Sequence, residues 1–303
     1  MVNNFLKYQS KHTTTDDFEI YYETNFKKSE LIESDYVIVF NYGLVCNFEH
    51  FKYQIEYFNK RNFKILIHDY RFHFKSSSKK NIKDCTLKGI CSDLNQVLQK
   101  IGNPQIVQIG HSMGVNVCLE YTYNYPENVL GQILISGTYV PPQEVMFNTD
   151  IVSDIQPLLE NAAKNNPKVN KFIWENNHKN VIAIKLVHLL GFHYKNVSSD
   201  FVKHYIKKIG ELNPDLFFQL LNEMKDQDLG DELKEMKTKS LIMAGDKDFI
   251  IPIKFQKQLA NKIIDSKFYI IKDGSHVPQV DFHATVNETI EYYLNNYFKS
   301  PSL

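Results

Sequence analysis

Neither sign of charge is in excess in this chain: 35 Lys and Arg stand against 35 Asp and Glu, so the formal net charge is zero. A chain without a net field gives nucleic acid or an acidic membrane no overall electrostatic attraction. Lys79 and Lys80 read as part of a solvated loop, and no nucleic-acid partner is expected. Long apolar runs are missing as well. The longest apolar-rich stretch, Val181 to Phe192, is interrupted by Lys185 and His188 and is too short to cross a bilayer, so no membrane span is expected. Met1 to Asp17 is polar and lacks an apolar h-region, which predicts no secretory leader and a cytoplasmic location. In that setting Asn196-Val197-Ser198 and Asn287-Glu288-Thr289 carry no meaning as glycosylation sites. The four cysteines, Cys46, Cys85, Cys91 and Cys118, form no CxxC pair and have no histidine at zinc-ligand spacing. Reduced, mostly buried thiols are expected, with no metal. There is no dinucleotide fingerprint and no internal repeat, and no cofactor is expected.

What is present reads as an ordinary globular chain, 43% hydrophobic and 23% charged over 303 residues. Phe18, Ile20 and Tyr22 alternate with polar neighbours, as in a half-buried strand. Asn25 to Ser29 reads as a turn. Short apolar runs then recur at Tyr36–Phe40, Phe63–Ile67, Ile106–Ile109, Ile133–Ile135, Leu241–Ala244 and Phe268–Ile271. Runs apolar on both faces suit central strands of a parallel sheet. Helical stripes lie between them: Phe48, Phe51, Ile55 and Phe58; Ile90, Leu94, Val97, Leu98 and Ile101, with Thr86 as N-cap; Phe255, Leu259 and Ile263; Val286, Ile290, Leu294 and Phe298. Strands alternating with helices predict a doubly wound α/β domain. The alternation fails between Thr138 and Lys237, where only helical patterns occur, at Ile155–Ala163, Val181–Leu190, Phe201–Ile209 and Leu216–Met224. A core of residues 1–137 and 238–303, carrying a helical cap of residues 138–237, is therefore expected.

Chemistry concentrates in three loops. Gly110-His111-Ser112-Met113-Gly114 follows the run Ile106–Ile109 and precedes a helical segment, Val115–Tyr123. A serine on a sharp turn between strand and helix exposes its hydroxyl, and glycines on either side let the turn form. A hydroxyl is a weak nucleophile and needs a base. Of eleven histidines, His276 lies on the loop after the last apolar run, where parallel sheets build their sites. The base needs an acid to orient it. Gly245-Asp246-Lys247-Asp248 follows Leu241–Ala244 and offers two. Asp248 lies farther into the loop, beside Phe249-Ile250-Ile251-Pro252, and is the expected acid; Asp246 is expected to bond nearby backbone groups. Chain order is then Ser112, Asp248, His276.

With these loops in place the sequence resembles the α/β-hydrolase fold family with a helical cap. Gly110–Gly114 is similar to the nucleophile elbow, Gly245–Pro252 to the acid loop and Gly274–Pro278 to the histidine loop. Asp69-Tyr70-Arg71-Phe72-His73-Phe74 resembles a loop that usually reads Asp-x-Arg-Gly-His-Gly, and Asn41-Tyr42-Gly43-Leu44 the family's His-Gly oxyanion loop. The resemblance runs from about Phe18 to Phe298 outside the cap. It implies a mostly parallel sheet flanked by helices. It also implies an oxyanion hole from the backbone N–H groups of Leu44 and Met113, with Tyr42, Gly43 and His111 against the substrate. Tyr42 replaces the usual histidine, and Phe72 and Phe74 replace glycines; the two phenylalanines are expected to narrow or line the pocket mouth.

A serine at the elbow, where family members that open epoxides or remove halides carry aspartate, implies acyl transfer to water. Several chemistries share such a triad: hydrolysis of C–C, thioester or amide bonds, and perhydrolysis. A binding protein that has lost turnover is a further alternative. The cap is rich in Phe172, Trp174, Leu186, Leu189, Leu190, Phe192, Phe217, Phe218, Leu220 and Met224. Most of these are expected to pack cap helix on cap helix. Some, with Tyr42, Leu44 and Met113, are expected to wall the pocket and to select small uncharged carboxylic esters. Nothing in the sequence sets the oligomeric state.

Overall fold

A computed structural model describes residues 5–32 and 36–298. The outer limits of the expected core, residues 1–4 and 299–303, lie outside the described residues. Among the described residues eight strands form one sheet: β1 (Tyr8–Thr13), β2 (Glu19–Thr24), β3 (Tyr36–Asn41), β4 (Lys64–His68), β5 (Gln105–His111), β6 (Val129–Ile135), β7 (Lys239–Gly245) and β8 (Ser266–Ile271). Their spatial order is β1-β2-β4-β3-β5-β6-β7-β8. The β1–β2 and β2–β4 pairs are antiparallel and every later pair is parallel. The apolar runs explain the middle of this order. Val37, Ile38, Val39 and Phe40 are fully buried on both faces of β3, and each such side chain contributes about 1.5–3 kcal/mol on leaving water.

Among the described residues twelve α-helices accompany the sheet: α1 (Lys52–Asn59), α2 (Leu87–Ile101), α3 (Met113–Asn124), α4 (Pro142–Val145), α5 (Ile151–Asn165), α6 (Pro167–Asn176), α7 (Val181–Gly191), α8 (Ser199–Ile209), α9 (Pro214–Asp226), α10 (Ile253–Lys262), α11 (Pro278–Asp281) and α12 (His283–Tyr297). The α2 helix starts where its sequence signals a cap. Thr86 Oγ1 accepts the Gly89 N–H, and Gly102, at φ 117, closes the other end, an αL position that glycine fills without a Cβ penalty. Residues 138–237 are helix and turn, with no strand in that span, and resume the sheet at Lys239.

Two elements differ from expectation. The segment Met1 to Asp17, read only as polar, contains β1, an edge strand whose side chains are half-buried and exposed in turn. Its residues carry no apolar face, so no periodicity announces it; pairing with β2 makes it a strand. Phe268–Ile271 was expected as a central strand, but β8 is the opposite edge and leaves Tyr269 and Ile270 open to solvent.

Candidate active site

Ser112 stands between the end of β5 and the start of α3 at φ 54 and ψ −120. For a residue with a Cβ this backbone is strained, by about 1–3 kcal/mol. The flanking glycines are required by contact. A Cβ on Gly110 would lie 2.4 Å from the Gly114 carbonyl oxygen, and one on Gly114 would lie 2.0 Å from that of Asn41. The elbow is thus pressed against the end of β3. Gly43 belongs to the same contact, since a Cβ there would come within 3.2 Å of the Ser112 Cβ.

His276 Nε2 lies 3.2 Å from Ser112 Oγ, and its Nδ1 lies 3.0 and 3.1 Å from the two carboxylate oxygens of Asp248. A nitrogen facing a carboxylate carries the proton, which leaves Nε2 to accept from the serine hydroxyl. Asp248 is buried and held from behind. Its Oδ1 accepts the N–H groups of Ile250 and Ile251 at 2.9 and 2.8 Å, and its Oδ2 accepts Gln256 Nε2 at 3.1 Å. Asp246, the competing carboxylate, is exposed to solvent. The acid and histidine loops are joined directly: the Lys247 N–H donates to the Gly274 oxygen at 2.9 Å. A third carboxylate, Asp281, accepts the Ser275 N–H at 3.0 Å, the Ser275 hydroxyl, and the His193 N–H at 3.1 Å. It anchors the loop that carries His276 to the turn that follows α7 in the helical segment.

The series of three side chains opens on a cavity of about 390 Å³. Leu44, Met113 and His111 line it, as do Trp174, Leu186, Leu190, Phe192, Phe217 and Met224 from the helical segment. Met113 opens α3, so its N–H falls in the first turn and has no intrahelical carbonyl to meet. Three expectations need correction. Tyr42 does not line the cavity; it is fully buried behind the loop, where its hydroxyl accepts the Tyr70 N–H at 2.8 Å and its carbonyl accepts the Tyr70 hydroxyl at 3.1 Å. Gly43 is a point of close approach to the elbow and not a wall of the cavity. Phe72 and Phe74 also lie away from it, beside a separate groove with Asp69 and Lys75. They keep the backbone that glycine would favour, at φ 63 and 41.

His111 is buried, and its Nε2–H donates to the His276 carbonyl at 2.8 Å. Burial and the nearby His276 and His50 rings push its pKa well below the usual imidazole range, so it is a neutral strut behind His276. No pattern of residues announces the polar corner opposite. His50 lines the cavity, buried, with no hydrogen-bond partner for either ring nitrogen among the described residues. Its ring centroid lies 4.6 Å from that of Tyr205, whose hydroxyl is 3.5 Å from Cys46 Sγ. Burial pushes the Cys46 thiol up to about 12, so no thiolate nucleophile is present there at neutral pH. Among the described residues no group of three or more His, Cys, Asp or Glu is placed to hold a metal ion.

The sequence matches the alpha/beta hydrolase fold family over residues 36–282. Protein ABHD8 of Bos taurus is 22% identical over 276 residues, a match that covers 86% of this chain; the chain spans 56% of that relative's length. Among solved structures, a thermophilic esterase from Thermogutta terrifontis gives a TM-score of 0.74 at 20% identity, over 97% of this chain and 100% of the other. An esterase from Exiguobacterium antarcticum also gives 0.74, at 22% identity, over 94% and 99% of the two chains. At such identities a structural likeness shows shared fold, and the family match spans most of the sequence. The chain belongs to the α/β-hydrolase fold family.

Proposed function

We propose that this chain is a serine hydrolase that cleaves small, uncharged carboxylic esters through an acyl-enzyme. The observation that carries the reading is the hydrogen-bonded series Ser112, His276, Asp248, opening on a cavity whose wall is mostly apolar. In this reading Ser112 Oγ attacks the ester carbonyl while His276 Nε2 takes its proton. Asp248 holds the imidazole in its Nδ1–H form and stabilises the imidazolium. The N–H groups of Leu44 and Met113 receive the developing oxyanion. The alcohol leaves with the proton held by His276. Water, deprotonated by the same nitrogen, then attacks the acyl-enzyme and releases the acid. Residues 138–237 act as a cap over a core of residues 1–137 and 238–303.

A fluorophosphonate probe tests the activated serine without assuming a substrate. Labelling of the wild type and not of Ser112→Ala is expected, and absence of labelling in both overturns the reading. A series of p-nitrophenyl esters tests the wall. From acetyl toward medium chains kcat/KM should rise, with each methylene buried worth up to about 0.8 kcal/mol, or roughly fourfold. A flat response with strong labelling keeps the serine hydrolase and discards the apolar substrate.

A further inference from the structure

Three consecutive helices of the segment 138–237 turn apolar stripes outward, which the cavity does not explain. On α7 the stripe is Ile182, Leu186 and Leu189, with Ile182 78% and Leu189 64% exposed. On α6 it is Val169, Phe172 and Ile173, and on α5 Ile155, Leu158 and Leu159, all exposed. Single exposed leucines are ordinary on a protein surface, but stripes repeated at helical spacing are not. The α7 stripe runs into the mouth of the cavity, where Leu186 is part of the lining. On its other side Leu189 borders a shallow groove with Tyr194 and Phe249, both exposed.

Charge follows the same stretch. Between Ile151 and Ser199 six lysines stand against Asp154, Glu160 and Glu175, an excess of three in a chain whose total is zero, and no acidic residue lies between Glu175 and Ser199. Lys164 and Lys171 have carboxylate neighbours at 3.7 Å. Lys168, Lys185 and Lys195 form no ion pair among the described residues. Lys195 and Lys247 border the groove beside Leu189, where Asp273 is the one acidic lining residue among the described residues.

We infer that the outward face of α7, with the lysines around it, docks on an anionic lipid bilayer and presents the cavity mouth to the lipid phase. Apolar side chains enter the headgroup boundary while lysines extend to the phosphates. A second copy of this chain fits the face less well, because a two-fold contact would set these lysines against their own copies. Among the described residues no helix is long and apolar enough to cross a membrane, so this contact lies on the bilayer surface. Delivery of a lipid-borne ester to Ser112 rests on the serine hydrolase reading; the docking itself does not.

The full chain is sedimented with vesicles of phosphatidylcholine alone and of phosphatidylcholine mixed with phosphatidylserine, at low and high salt. Two double variants accompany it, Ile182→Ser with Leu189→Ser and Lys185→Glu with Lys195→Glu. None of these four positions lines the cavity. The wild type should bind the mixed vesicles, more weakly at high salt, and each double variant should bind them about tenfold or more weakly. All three chains should turn over a soluble p-nitrophenyl ester at the same rate. A wild type left in the supernatant with mixed vesicles, or variants that bind as it does, overturns the inference. So does a concentration-dependent dimer that the apolar double variant abolishes in the absence of vesicle binding. Vesicle binding by a chain that neither takes the fluorophosphonate nor cleaves any ester keeps the docking surface and discards the hydrolase.

Discussion

His50 is 2% exposed on the cavity wall, and neither of its ring nitrogens has a hydrogen-bond partner among the described residues. Burial first, and the neighbouring His276 second, hold its pKa down at about 3, so the ring is neutral at pH 7. An unmet buried polar group costs about 1–3 kcal/mol. His50→Phe removes both unmet nitrogens while keeping a ring of similar size, and its melting temperature is expected to equal or exceed that of the wild type. The two chains should also diverge with pH. The unfolded chain protonates this histidine near 6.5 and the folded chain only near 3. The group's contribution to stability is therefore complete above pH 6.5 and is lost as pH falls. Between pH 7 and pH 5 the variant should gain about 2 kcal/mol on the wild type, read from urea unfolding midpoints. Equal losses in the two chains would show that His50 does not stay neutral in the folded state. Ser112, Asp248 and His276 are readable in the sequence because each follows a strand run within a few residues. His50 is not. It is one of eleven histidines, it sits inside an apolar stripe, and its place on the cavity depends on Phe192 and Tyr205, which arrive from far along the chain.

The loop after β4 shows what an element costs to hold in place. Arg71 spans the carboxylate of Asp93 with Nε at 2.8 Å and Nη2 at 2.6 Å. Its Nη1 donates to the Asp84 carbonyl at 2.8 Å, and its guanidinium lies 3.9 Å from the Phe18 ring centroid. Asp93 is buried in the middle of α2, so the pair ties that helix to the loop and to the start of β2. Arg71→Ala leaves a carboxylate buried without its cation and should cost about 3–5 kcal/mol in denaturant unfolding. Arg71→Lys should recover only part of this, because a single ammonium cannot form the two parallel bonds. An unchanged midpoint in Arg71→Ala would show that the pair adds nothing. The family resemblance picks out Arg71 in this loop, and the structure gives it this partner. Sequence identity does not show where Phe72 and Phe74 point. Phe72 packs edge-on against Phe18 with centroids 5.3 Å apart, a contact fixed by tertiary packing. Edge strands are obscure for a related reason. β1 presents no apolar face, so no pattern marks it, and the apolar run of β8 marks a strand but not its place at the edge, which pairing decides.

At the scale of the whole molecule, alternation of strand and helix makes the fold class legible, and its loss after Gly137 marks where the helical segment begins. Strand order cannot be read that way, since it depends on which strands pair. How the helical segment is fastened is equally hidden, and it is uneven. α9 sends Leu216, Leu220, Leu221 and Met224 into the main core, and Glu223 accepts the Leu87 N–H at the start of α2. By contrast α6 has no buried residue, and α7 has only His188. Local opening free energy follows such differences in burial. Amide exchange measured on the native chain should therefore be orders of magnitude faster in α6 and α7 than in α9; uniform protection across all three would contradict it. The segment is then a hem stitched along one side and loose along the other. Trp174, Leu186 and Leu190 of the loose side line the cavity, so opening of that side should bare it while the stitched side keeps Phe217 and Met224 in place. Entry of a bulky molecule should then be timed by the opening of two helices, at a free energy well below that of unfolding the sheet.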